Sequence, residues 1–204
     1  MRKRWTLFVV MATLLLAGCA NQNPAAEIEP VPESDYVKTF EDLSLGRLFD
    51  FQFELKQADK RRVKLWVEHY QNGKKEGEPV DLIYGEDPNN GTVEGHLGFG
   101  MMTPTNQEPL YFLYAPGVSL EPQNQSGVPM LESSMATWDY AFKDKKVDIS
   151  LDEEKVLAVY RSTTSNEMGQ FDLNHPDDVE KMIQEDSDVL LLKILITEKK
   201  KEMQ

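Results

Sequence analysis

The sequence predicts an all-β domain, a two-sheet antiparallel sandwich with one short C-terminal helix. Three observations carry the prediction. Apolar and polar residues alternate through run after run, which sets large side chains on one face of a strand. Turn signals, among them Asn72-Gly73 and Asn90-Gly91, separate the runs at regular intervals. Only the segment after Asn174 has helical spacing. Eight or nine short strands and one helix suit two packed sheets, with a closed β-barrel and an α+β roll as the alternatives.

Ahead of the domain, Arg2, Lys3 and Arg4 precede an apolar run from Trp5 to Leu16. A basic head, about a dozen apolar residues and a small-residue cleavage site make a secretory signal, and the run is too short to span a bilayer. The run closes on Leu16-Ala17-Gly18-Cys19, and Cys19 is the only cysteine. This tetrapeptide resembles the lipobox of bacterial lipoproteins: Leu, a small residue, Gly or Ala, then Cys. The resemblance covers about the first twenty residues. It implies residues 1–18 as a cleaved signal, a diacylglyceryl group on the Cys19 thiol, and a domain in the bacterial cell envelope, lipid-anchored on the extracytoplasmic side of a membrane. Two acyl chains anchor durably where one binds only marginally. Lipidation also accounts for a thiol that would otherwise stand unpaired in an oxidising compartment. With no second cysteine the core must hold by packing alone.

Removal of the first 18 of 204 residues leaves 186, enough for one domain and a tether. The full chain carries 22 basic and 35 acidic residues, net −13; without Arg2, Lys3 and Arg4 the balance is near −16. Such a charge repels nucleic acid and anionic headgroups and argues against both as partners. Residues 19–38 read as the lipidated cysteine and a solvated acidic, proline-rich tether, since Pro24, Glu27, Glu29, Pro30, Pro32, Glu33 and Asp35 leave little to pack. Residues 39–198 form the single β-rich domain, and 199–204 a polar tail.

Within the domain, Phe49, Phe51, Phe53 and Leu55 alternate with polar residues, and Val63, Leu65 and Val67 repeat the pattern up to the Asn72-Gly73 turn. Val80, Leu82 and Tyr84 lead to Asn90-Gly91. Leu97, Phe99 and Met101 alternate with Gly98 and Gly100, which suits close approach of another backbone. Further strands are expected over Leu110 to Tyr114, Met135 to Phe142, Val147 to Leu151 and Lys155 to Tyr160. The helix would be capped by Asn174, carry Pro176 in its first turn and Asp177 and Asp178 at its positive end, and present Val179, Met182 and Ile183 on one face. Val189 to Ile196, apolar on both faces except Lys193, fits a central strand or one covered on both sides.

The search for chemistry returns little. His69 follows Glu68 on a strand, where neighbouring side chains point to opposite faces and cannot share a metal. His96 sits on a strand and His175 beside the helix start, and no pair has a zinc-enzyme spacing. Asp87-Pro88-Asn89-Asn90-Gly91 places glycine where a calcium loop needs a ligand, so it reads as a hairpin. Asp148, Asp152, Glu153 and Glu154 read as a solvated turn. Ser133 and Ser134 have no histidine nearby in sequence, and no nucleophile elbow, phosphate loop or dinucleotide fingerprint occurs. No cofactor, metal site or catalytic residue is therefore assigned. Trp66 and Tyr70 lie opposite Val63, Leu65 and Val67, and Tyr111 opposite Leu110 and Phe112. If that face is open, these three aromatics are a binding platform for a carbohydrate or a protein; if a second layer covers it, they are core.

The expectation is a membrane-tethered extracytoplasmic binding module without enzymatic activity. The alternative is an extracytoplasmic hydrolase whose site is assembled from residues distant in sequence. A pocket gathering two or more of His69, His96, Asp87 and Glu94 would favour the hydrolase, and an exposed aromatic face without such a cluster the binding module.

Overall fold

The computed structural model describes residues 24–85, 91–124, 133–143 and 145–199. Among them, strands build two antiparallel sheets that face each other, and no barrel closes. The first sheet contains β1 (Ala26–Pro30), β2 (Gly46–Lys56), β5 (Thr92–Met102), β6 (Leu110–Ala115), β7 (Val118–Ser119) and β9 (Val147–Ile149), in the order β7-β6-β5-β2-β1-β9. The second contains β3 (Arg61–Gln71), β4 (Lys74–Gly85), β8 (Met135–Tyr140), β10 (Lys155–Thr163) and β11 (Asp188–Glu198), in the order β4-β3-β11-β10-β8. Two helices, α1 (Asp35–Asp42) and α2 (Pro176–Glu185), accompany the sheets.

The core lies between the sheets. Phe49, Phe51, Phe53 and Leu55 of β2 and Leu97, Phe99 and Met101 of β5 are buried, as the alternation requires. Facing them, Val63, Leu65 and Val67 of β3 pair in register with Ile196, Ile194 and Leu192 of β11. The β3–β4 hairpin turns on Asn72 and Gly73 at φ 49° and 81°, the left-handed pair that a two-residue turn demands. Asn90 of the other expected turn lies outside the described residues. β11 holds the centre of the second sheet, and Leu191 on its outer side lies beneath Val179 and Ile183 of α2. That double covering explains why its sequence is apolar on both faces.

Two expectations are corrected. The segment expected as a tether is structured from residue 26. Ala-Glu-Ile-Glu-Pro alternates with period two like any other strand, and β1 inserts between β2 and β9 with Ala26 and Ile28 fully buried. Glu27 points outward, where Lys56 and Lys146 both reach its carboxylate. The same segment then enters α1, a second helix absent from the sequence reading, capped by Ser34 Oγ accepting from the Val37 N–H at 3.2 Å. The composition is acidic because the outer faces of a short strand and a short helix are acidic, not because the segment is unpacked. At the other helix, His175 and not Asn174 is the N-cap residue, since the Asn174 amide donates to the Ala141 carbonyl at 2.7 Å.

Candidate functional site

The expected aromatic platform does not form. Trp66 and Tyr70 share the outer face of β3 as predicted, but Trp66 is only 2% exposed, with the Lys64 and Lys193 ammonium groups 4.5 and 5.5 Å from its ring centre. Between the two aromatics sits Glu68. It accepts from the Trp66 indole N–H at 3.3 Å, the Tyr70 hydroxyl at 2.8 Å, Lys75 at 2.7 Å and Lys193 at 3.3 Å. Burial alone would raise the Glu68 pKa, but these donors and charges outweigh it and hold the carboxyl at about 2. Tyr70, half buried and bonded to that carboxylate, is pushed up to about 12. Tyr111 faces the inter-sheet core and stacks on Phe99 with ring centres 6.1 Å apart. Leu-Tyr-Phe-Leu-Tyr is apolar or aromatic on both faces, so its alternation does not reveal which face turns inward.

The histidines occupy three different environments. His69 points into the core, where Nε2 lies 3.0 Å from Asp188 Oδ1. Ser162 pairs in register with Asp188, so the three residue types of a hydrolytic triad do converge here. His69 is 2% exposed and Asp188 and Ser162 not at all, so no substrate reaches them. This is a buried polar cluster at one end of the core, in which His69 and Asp188 pair and the Ser162 hydroxyl has no hydrogen-bond partner among the described residues. His175 is exposed, with Nε2 3.9 Å from Asp172. Ser134 bonds the Thr163 and Thr164 backbone, and Glu154 pairs with Lys193 at 2.9 Å. Asp87 lies outside the described residues.

His96 belongs to a site that the sequence reading did not assemble. Leu48 and Asp50 of β2, Glu94 and His96 of β5, and Phe112 and Tyr114 of β6 all project from the outer face of the first sheet, and α1 packs across it. Gly98 and Gly100 make this arrangement possible. A Cβ at Gly98 would collide with the Tyr114 hydroxyl and the Phe49 carbonyl, and one at Gly100 with the Phe112 ring. The β6 aromatics thus lie across the glycine trough of β5, the expected close approach being made by side-chain rings as well as by backbone. From α1, Phe40 meets Phe112 at 5.8 Å, and Tyr36 meets Tyr114 edge-on at 6.2 Å and His96 at 4.6 Å. The result is an open groove of about 840 Å³ walled by these rings and Leu48, with Glu94 and Pro116 at its margin.

One polar assembly is built into that apolar groove. Asp50 is wholly buried and accepts from His96 Nδ1 at 2.9 Å and from the Tyr114 hydroxyl at 2.8 Å. Its own backbone N–H donates to the Tyr140 hydroxyl at 3.2 Å. Burial, reinforced by the Asp50 carboxylate, pushes the Tyr114 pKa far up, and burial lifts Tyr140 to about 12. A carboxylate oxygen only accepts, so His96 Nδ1 is the donor in this bond. Among the described residues His96 hydrogen-bonds only to Asp50. Its side chain is 36% exposed. Of the discriminating set His69, His96, Asp87 and Glu94, the groove therefore gathers His96 and Glu94. Asp50, Tyr36, Phe40, Phe112 and Tyr114 escaped sequence reasoning, and the paired glycines at 98 and 100 were the one local signal pointing to them. No known family model matches the chain, nor does any curated protein or solved structure.

Proposed function

We propose that this protein is a lipid-anchored, extracytoplasmic binding module, without catalytic activity, that takes a peptide or carbohydrate ligand into the groove between α1 and β5–β6. The groove itself carries the reading: an open, mainly aromatic trough with one polar side chain fixed in place is what orients a ligand without transforming it. Cys19 is the proposed lipid attachment and the membrane its proposed partner, supported by the resemblance of residues 16–19 to a lipobox.

One observation favours a hydrolase as the second reading. The Asp50–His96 pair opens on the same groove as Glu94, which meets the discriminating condition drawn from the sequence. A carboxylate-oriented imidazole is half of a nucleophile-activating arrangement. The other half is a nucleophile bonded to Nε2, and among the described residues His96 has no such partner. Binding is therefore preferred.

Complementation of a strain lacking the protein, at matched expression, tests the choice. Tyr36→Ala and Phe40→Ala are expected to lose function, while His96→Gln, which keeps a polar group in place, retains most of it. A folded His96→Gln protein without function would put the hydrolase first.

A further inference from the structure

We infer that the occupant of the groove is a basic peptide segment, with an apolar side chain seated between Phe40 and Phe112 and a neighbouring lysine or arginine held by Glu94 and the ring of Tyr36. The inference rests on the binding reading and names its ligand class.

Two kinds of group at one site favour a cation. Glu94 is exposed at the groove margin, and among the described residues it has no ion-pair partner. Its register neighbour on β2 is another carboxylate, Glu54, whose contact at 3.9 Å is Lys146, a residue that also holds Glu27. Two carboxylates side by side repel, and a ligand cation relieves that repulsion. Tyr36, 53% exposed, offers a ring against which an ammonium or guanidinium is attracted. Neither suits an anionic ligand.

A chain, not a lone ion, matches the rest of the surface. The apolar wall of Leu48, Phe40 and Phe112 accepts hydrocarbon beyond the reach of a small cation. Acidic groups also continue along α1: Glu33, Asp35 and Asp42 are exposed without ion-pair partners among the described residues. Of the neighbouring cations, Arg47 is engaged by Glu41 at 3.1 Å, which leaves Lys38. An alternation of apolar and basic residues would meet the wall and the acidic margin together, adding contacts along its length.

The experiment uses the chain from residue 19 onward, carrying Cys19→Ser. NMR shift mapping and calorimetric titration are run with a short peptide of alternating lysine and leucine, its lysine-acetylated counterpart, butylammonium, and a neutral oligosaccharide. The expected result is that the peptide shifts Tyr36, His96 and Phe112, that acetylation weakens binding tenfold or more, and that Glu94→Gln weakens it about fivefold and flattens its salt dependence. Butylammonium should bind at least tenfold more weakly than the peptide. Equal binding of the acetylated peptide in the groove, or groove binding by the oligosaccharide alone, would overturn the cation and leave the groove standing. Peptide shifts scattered over the acidic surface, unaffected by Glu94→Gln, would also overturn the inference. The binding reading falls separately, if Tyr36→Ala and Phe40→Ala proteins complement as well as the wild type.

Discussion

Glu68 shows how a single residue converts an apparently functional surface into a structural one. Four donors converge on its carboxylate from β3, β4 and β11, and one of them, Lys193, also lies over the Trp66 ring. Its folded pKa of about 2 lies below the value of roughly 4.3 that glutamate has in an unfolded chain. A depressed carboxylate contributes stability that is complete above the unfolded value and disappears as pH falls from there through about 2. Glu68→Gln should therefore lower the denaturant midpoint at pH 7 and shallow its decline between pH 4.5 and 2. An unchanged acid profile would mean the network contributes nothing to stability. His69 is a second structural residue that its sequence neighbours did not reveal. The His69 ring is one of several partners of the wholly buried Asp188, so a change there disturbs the core and makes His69 a poor control for tests of His96.

At the scale of the element, legibility followed the contrast between a strand's two faces. β2 and β3 carry polar residues opposite apolar ones, and their inward sides were read correctly. β6 has large apolar or aromatic residues on both sides, because Tyr111 and Leu113 enter the core while Phe112 and Tyr114 build the groove. Nothing local distinguishes those destinations. β1 and α1 were missed because five and eight residues with acidic outer faces resemble a solvated linker. Asp50 was legible only as the polar half of an alternation; its carboxylate lies against His96 and Tyr114, two rings from distant strands on which Tyr36 of α1 packs. The glycines of β5 test the site's construction. Gly98→Ala and Gly100→Ala should each cost about 1–3 kcal/mol and displace the rings of Tyr114 and Phe112, seen as a lower melting midpoint and altered aromatic near-ultraviolet dichroism. If both variants melted like the wild type with an unaltered spectrum, the rings would not be seated on the glycines.

For the whole molecule, the two-sheet architecture was readable because many short alternating runs leave few ways to bury their apolar faces. The boundary between anchor and domain was not, and it lies nearer the proposed lipid than composition suggested. β1 begins at Ala26, within the segment that composition assigns to a tether. Cys19→Ser is expected to move the protein from the membrane to the soluble fraction, with the diacylglyceryl mass gone and the thermal midpoint unchanged. A wild-type chain whose mature end is not Cys19 would remove the anchor from the proposal.

β1 is joined on one side to β2 and on the other to β9. At its start the Ala25 N–H donates to the Ile149 carbonyl at 2.8 Å, while the Ala25 carbonyl accepts from the Lys56 N–H at 3.1 Å and from Arg61 at 2.6 Å. Under the proposed anchoring, drag on the domain enters as tension at the first residues of this strand. A strand bonded along both sides and loaded lengthwise must slide past two neighbours at once, so its bonds share the force instead of parting one by one. Under that proposal, the sheet that supports the groove is also the mooring.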